Sequence, residues 1–276
     1  MVARRPPGVP VVLRFVVPVV FPAGLPDSIR SSPVVAVIPS RFQSTRLPGK
    51  PLAVIGDKTM VEHVYRRVSD ARTVKSVLVA TDDDRVAAAV SAFGGTAVMT
   101  RASHETGTDR LAEVAAELQG DLVVNVQGDE PLITPEAIDA CVTLLLDHPG
   151  DVMGTLRRRS SDRADGSNPA VVKLVTDRNG YALYFTRSPI PYVRPGHEAP
   201  VVWRHLGLYV YRRGFLLSLA GLPSTPAERA EGLEQLRALE HGYRIRTVET
   251  TVDTIGVDTP EDLERVRRLV AAGAQP

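Results

Sequence analysis

Between Val34 and Leu146 two hydrophobic patterns take turns along the chain. Short runs rich in valine, isoleucine and leucine fall at Val34 to Pro39, Ser76 to Thr81, Thr96 to Met99 and Leu122 to Val126, and predict strands. Stretches whose apolar positions recur every three or four residues lie between them, at Met60 to Ser69, Asp83 to Phe93, Thr108 to Leu118 and Pro135 to Leu146, and predict helices. Thr134 is placed to cap the last of these, with Pro135 at its first position. Repeated strand-helix units predict an α/β fold with a mostly parallel central sheet and helices on both faces.

After Gly150 the pattern changes. Runs at Val152 to Arg157, Val171 to Thr176 and Tyr181 to Thr186 follow with little helix between them, and Asp177-Arg178-Asn179-Gly180 supplies a hairpin turn, so a smaller antiparallel region is expected. Ser160 to Asn168 is polar enough for a surface loop, and Pro189 to Pro200 is too proline-dense for a helix interior. A helix at Glu228 to Glu240, a strand near Ile245 to Val248 and a closing helix from Pro260 to about Ala272 complete the pattern, with no internal repeat.

The first 33 residues carry neither period. Arg4 and Arg5 precede a Pro- and Val-rich stretch that Arg14 and Pro18 interrupt, and the apolar run is too short to span a membrane. This segment is expected to be a disordered extension or the product of an over-early start, so that removing residues 1–30 leaves activity intact. A chain of 276 residues is long enough for one or two domains without disulfide support. Its net charge of +1 offers no broad basic surface for nucleic acid, and no later stretch is apolar enough for a bilayer, so neither is an expected partner. The single cysteine, Cys141, excludes an internal disulfide and a multi-cysteine metal site, and fits a core thiol in a reducing compartment.

Candidate chemistry begins where the first strand ends. Ser40-Arg41-Phe42-Gln43-Ser44-Thr45-Arg46-Leu47-Pro48-Gly49-Lys50-Pro51 puts three cations among hydroxyl and amide side chains. In an open parallel sheet the ligand crevice lies beyond the carboxyl ends of the strands, so this loop is placed to hold phosphates through guanidinium forks and a lysine point charge. It is neither a Walker loop nor a dinucleotide fingerprint, which weighs against kinase and nicotinamide-dependent oxidoreductase chemistry. Asp129 follows another apolar strand and Gly128, which permits close approach of backbone to ligand. Asp82, Asp83 and Asp84 read mainly as acids at a helix start, with Asp82 also able to reach a nucleotide. The six histidines show no metal-binding spacing.

The form Ser44-Thr45-Arg46-Leu47-Pro48-Gly49-Lys50-Pro51-Leu52 resembles the signature loop of sugar nucleotidyltransferases, and specifically of the 3-deoxy-manno-octulosonate (Kdo) cytidylyltransferase family. Met99 to Arg110, Val124 to Pro131, Tyr181 to Phe185, Arg204 to Gly207, Leu233 to Arg237 and Gly256 to Glu264 resemble further motifs of that family in the same order. The resemblance spans about Val34 to Val270. Departures are small: Ser40, Phe42, Thr106 and Asp109 stand where the family commonly has alanine, tyrosine, serine and glutamate.

The resemblance implies a Rossmann-like nucleotidyltransferase fold in one domain over residues 34–276. Residues 34–150 would bind CTP, 151–250 would bind sugar and dimerise, and 251–276 would return a metal ligand. It implies transfer of CMP from CTP to Kdo with release of pyrophosphate, a cytoplasmic homodimer, and Mg2+ held by Asp129 and Asp258. By itself the start of the last helix reads rather as capped by Asp258 or Thr259, with no metal role. Arg41, Ser44, Thr45, Arg46 and Lys50 would hold the triphosphate, with Arg46, Lys50 and the two aspartates catalytic. Arg101, Thr106, Gly107 and Gln127 would lie near base and ribose, with Asp129 also meeting the nucleotide. Gln127, Arg187, His205, Tyr209, Glu234 and Gln235 would line the sugar pocket. Enzymes of the same chemistry acting on sialic acid or 8-amino-Kdo share some of these motifs, and a nucleotide-binding homologue without turnover is the other alternative.

Overall fold

The computed structural model describes residues 25–104, 106–160, 162–198 and 200–273. Its first half runs α1 (Asp27–Arg30), β1 (Val34–Pro39), β2 (Val54–Ile55), β3 (Lys58–Thr59), α2 (Met60–Ser69), β4 (Ser76–Thr81), α3 (Asp84–Ala92), β5 (Ala97–Met99), α4 (Gly107–Glu117), β6 (Leu122–Asn125) and α5 (Pro135–Asp147). Then follow β7 (Met153–Arg159), β8 (Lys173–Thr176), β9 (Ala182–Thr186), β10 (Trp203–Arg212), α6 (Arg213–Ala220), α7 (Pro226–Glu231), α8 (Gln235–Glu240), β11 (Arg246–Thr250) and α9 (Pro260–Ala271). The main sheet has the order β11-β7-β10-β6-β1-β4-β5. β10 alone on that path runs against its neighbours, while the hairpin of β8 and β9 attaches to it as the smaller antiparallel part. The carboxyl ends of β1 and β6, paired in parallel, therefore open on the same edge.

Each face of the sheet is buried by helices, because the central strands β1, β4 and β6 bury residues on both sides. Val61, Val64 and Val68 of α2, Val86 and Val90 of α3, and Ile138, Val142 and Leu145 of α5 cover one face. Leu111 and Val114 of α4, Phe215, Leu216 and Leu219 of α6, and Leu236 of α8 cover the other. A third cluster of Ile55, Met60, Leu132, Val257, Leu263 and Val266 packs the closing helix against the β2–β3 hairpin and the residues after β6. That cluster carries the chain's last segment back to the loop after β1.

Three sequence expectations change. The helix predicted at Glu228 to Glu240 is two short helices, because Gly232 turns to φ 63° and ends α7 with a left-handed cap. Strand β10 and helix α6 were not anticipated, although β10 joins the two halves of the sheet. Residues 25–33 belong to the fold rather than to an extension: Leu25 is buried, Ile29 packs on the second cluster, and the Arg30 carbonyl accepts from Gln119 N at 2.7 Å. Ser32 Oγ also meets Ser76 Oγ at 2.7 Å. The expectation for residues 1–24 lies outside the described residues. Among those described, no helix is long and apolar enough to cross a membrane.

Candidate active site

A cleft of about 740 Å³ opens over the carboxyl ends of β1 and β6. Its floor depends on Gly128. A side-chain carbon there would stand 2.9 Å from the Pro39 carbonyl and 2.7 Å from Ser40 Oγ, so only glycine lets the turn after β6 lie against the end of β1. From that turn Asp129 faces the loop after β1, where Gly49 at φ 69° reverses the chain and Lys50 opens a short 3-10 turn.

The two predicted acids converge. Lys50 Nζ donates to Asp129 Oδ2 at 2.6 Å and to Asp258 Oδ1 at 3.1 Å, and Arg46 Nη2 reaches Asp258 Oδ2 at 3.0 Å. Backbone holds the arrangement, since Val257 N donates to the Asp129 carbonyl at 2.9 Å. Asp258 is not itself the cap of α9: Thr259 and Asp262 form the capping box there, and Asp262 Oδ2 accepts from Asp258 N at 3.1 Å. Burial works to raise the Asp258 carboxyl, but the Lys50 ammonium and then Arg46 outweigh it and hold it below the usual carboxylate range. Burial likewise opposes the charge on Lys50, and the two aspartates overcome it, raising the ammonium above its ordinary value.

Two carboxylates around one cation position fit magnesium, which takes one or two carboxylates and completes its shell with phosphate oxygens and water. Among the described residues no cluster of three or more His, Cys, Asp or Glu forms, as this mode of binding needs none. Glu130, which the sequence reading left without a role, lines the same cleft. Burial, then the neighbouring Asp129 charge, pushes its carboxyl up to about 8, so it is mostly protonated at neutral pH and adds little negative charge beside Asp129.

Of the other predicted residues, Arg41, Ser44 and Thr45 line the cleft beside Arg46 and Lys50, and Gly107 and Gln127 stand across from them. Arg101 and Thr106 do not line it. Arg101 is exposed and pairs with Glu113 at 3.5 Å, while Thr106 caps α4, its side chain accepting from Asp109 N at 3.1 Å. In the acidic run, Asp83 caps α3, whereas Asp82 binds the fully buried Arg110 at 2.8 Å.

The predicted sugar residues gather at the far end, where Arg187, His205, Tyr209, Glu234 and Gln235 all line the cleft. A bulge lets β10 advance three residues against one step of β7 between Leu206 and Tyr209. Two extra residues preserve the alternation, so the rings of His205 and Tyr209 stay together at 5.2 Å while Leu206, Leu208 and Val210 keep to the core. Burial lowers the His205 imidazole to about 3, leaving it neutral. Thr155 Oγ1 lies 2.7 Å from the Leu208 carbonyl and 3.0 Å from His205 Nε2. Its single proton goes to the carbonyl, so His205 Nε2 carries the ring hydrogen and Nδ1 is left as an acceptor. Gln235 Nε2 is buried with no hydrogen-bond partner among the described residues, a donor suited to a ligand in the cleft. Glu234 Oε2 instead accepts from Thr108 N at 3.2 Å and so joins the sugar end to the start of α4. Arg204, also on the cleft wall, had no sequence signal beyond its place in a motif.

Fold and cleft together define a class: an α/β protein whose sheet edge presents a cationic loop and paired carboxylates to a phosphate-bearing ligand. The chain belongs to the cytidylyltransferase family, whose profile, described as "Cytidylyltransferase", matches residues 35–245. It is 55% identical over 239 residues to the 3-deoxy-manno-octulosonate cytidylyltransferase of Solibacter usitatus, covering 87% of this chain and 95% of that protein. The protein of the same name from Geobacter sulfurreducens is 54% identical over 243 residues, covering 84% and 97%. A solved structure of CMP:2-keto-3-deoxy-manno-octonic acid synthetase complexed with CTP superposes with a TM-score of 0.83 at 46% identity, covering 87% of this chain and 99% of that one.

Proposed function

We propose that this chain transfers CMP from CTP to 3-deoxy-D-manno-octulosonate, forming CMP-Kdo and pyrophosphate, and that it does so as a cytoplasmic homodimer supplying activated sugar for lipopolysaccharide synthesis. One observation carries the reading: Asp129 and Asp258, far apart in sequence, meet at a single ammonium beneath a cationic loop. The names of relatives more than half identical over most of the chain support the choice of CTP and Kdo.

Each part of the cleft has a task. Arg41, Arg46 and Lys50, with the hydroxyls of Ser44 and Thr45, bind the triphosphate and stabilise charge that builds on the departing pyrophosphate. Mg2+ held by Asp129 and Asp258 would supply charge neutralisation at the phosphates and a lowered pKa for the attacking hydroxyl. Gly107 and Gln127 sit against base and ribose, and Arg101 and Thr106 shape the turn leading into that wall. Arg187, His205, Tyr209, Glu234 and Gln235 orient the sugar, with neutral His205 Nδ1 accepting from a hydroxyl. The nucleophile is the substrate's own hydroxyl, so the chain needs to position rather than attack. Cys141, whose thiol burial pushes up, is no candidate nucleophile.

Pyrophosphate release from CTP and Mg2+ with Kdo, sialic acid or no sugar tests the reading. Turnover is expected with Kdo and CTP, falling sharply with sialic acid or another nucleoside triphosphate. Preference for a different acidic sugar overturns the substrate, and silence with all of them overturns the reaction. Light scattering tests the dimer.

A further inference from the structure

Lys173 opens β8 with its side chain wholly buried. Its Nζ donates to the carbonyls of Asn168 at 2.8 Å and Val171 at 2.7 Å, and to that of Arg187. An ammonium has three hydrogens, so three carbonyls use them all. These acceptors come from two separate stretches, residues 168–171 before β8 and Arg187 just beyond β9. Both stretches form cleft wall, through Ala170, Val171 and Arg187 itself.

Arg187 is fastened to the same frame. Its Nε donates to the Glu231 carbonyl at 3.0 Å and its Nη1 to the Pro169 carbonyl at 3.1 Å, while its backbone N reaches Glu231 Oε2 at 2.9 Å. The guanidinium is thus held between the Glu231 carbonyl and the stretch before β8, and Lys173, which pairs with Thr186 across the β8–β9 hairpin, ties that stretch to the Arg187 backbone. Burying an ammonium is costly, as the lowering of its pKa by burial reflects, and the three carbonyls offset that cost while using Lys173 as their donor. A charge retained in such a place has work beyond filling volume.

We infer that Lys173 is a positioning residue for the acidic sugar, its buried ammonium gathering main-chain carbonyls from both wall segments and so fixing Arg187 where the sugar's carboxylate binds. This rests on the proposed Kdo reading of the cleft, and the test separates the two. Lys173→Met keeps the volume and removes the donors. It is expected to raise the KM for Kdo by at least about tenfold, with the KM for CTP within about twofold, because only the sugar wall loses its buried hydrogen bonds. Lys173→Arg, which keeps donors, is expected to recover most of the loss.

Isothermal titration calorimetry with Kdo gives a Kd independent of turnover. That Kd is expected to follow the same order in the three proteins. Equal changes in both KM values, or unchanged Kdo binding in Lys173→Met, overturn the inference. If Lys173→Met fails to fold, Lys173→Gln decides by the same split between Kdo and CTP. Failure of the unsubstituted enzyme to use Kdo would instead overturn the functional reading.

Discussion

A lysine between two aspartates holds its charge against burial through those partners, which places Lys50 at the centre of the cationic cradle. Lys50→Ala removes one preorganised donor from the phosphate cradle and is expected to lower single-turnover rates by about tenfold to a hundredfold. Near-normal rates would sink its assigned role. His205 gives a prediction about stability rather than catalysis. Burial depresses its pKa in the folded state to about 3 from the ordinary imidazole value of 6.5, so between those values the unfolded chain binds more protons. Stability contributed by the neutral ring is therefore present above pH 6.5 and lost as pH falls toward 3. Urea titrations of wild type and His205→Asn should converge in their pH dependence above that window, with the variant showing the shallower slope inside it. At this scale the sequence shows residue types well and environments poorly. Asp129 and the cationic loop are legible because their charges follow apolar strands, whereas Asp258, at a helix start, is legible only through the family resemblance that links it to them. The protonated state of Glu130 and the carbonyl cage around Lys173 depend on burial by distant segments, which local spacing does not encode.

Elements were easiest to read where one period ran unbroken between recognisable ends. Strands β1 and β4 and helix α2 fall at their expected bounds, since Thr59 caps α2 and apolar spacing continues to Val68. Elsewhere two signals misled. The helical spacing from Glu228 to Glu240 continues through Gly232, but the left-handed turn there overrides it and sets Glu234 against Thr108. Gly232→Ala meets no neighbouring atom within 4 Å, so its cost is confined to the backbone. It is expected to destabilise by about 1 kcal/mol and lower the melting temperature by about 2–4 °C, measurable by calorimetry. Strand β10 was hidden because Arg204, His205 and Gly207 break its apolar alternation, the last at a bulge, and because α6 follows it without a turn residue. The features that concealed the strand are the ones that bring His205 to the cleft.

Across the whole molecule, three buried clusters join segments that lie far apart along the chain. Deleting residues 25–32 removes Leu25 and Ile29 from the second cluster and the Arg30 carbonyl from Gln119. Thermal unfolding of that deletion should occur several degrees lower, about 2–4 °C for each kcal/mol lost, whereas an unchanged midpoint would show that this segment adds nothing. The third cluster has a different consequence. It holds the aspartates together through Met60, Leu132 and Leu263, and Lys50 balances their repulsion. Assembly of the fold is therefore expected not to depend on the proposed magnesium, unlike a zinc finger, where withdrawing the metal dissolves the fold. A chelator should silence the enzyme while its melting curve stays in place, and restoring magnesium should revive it without any refolding delay.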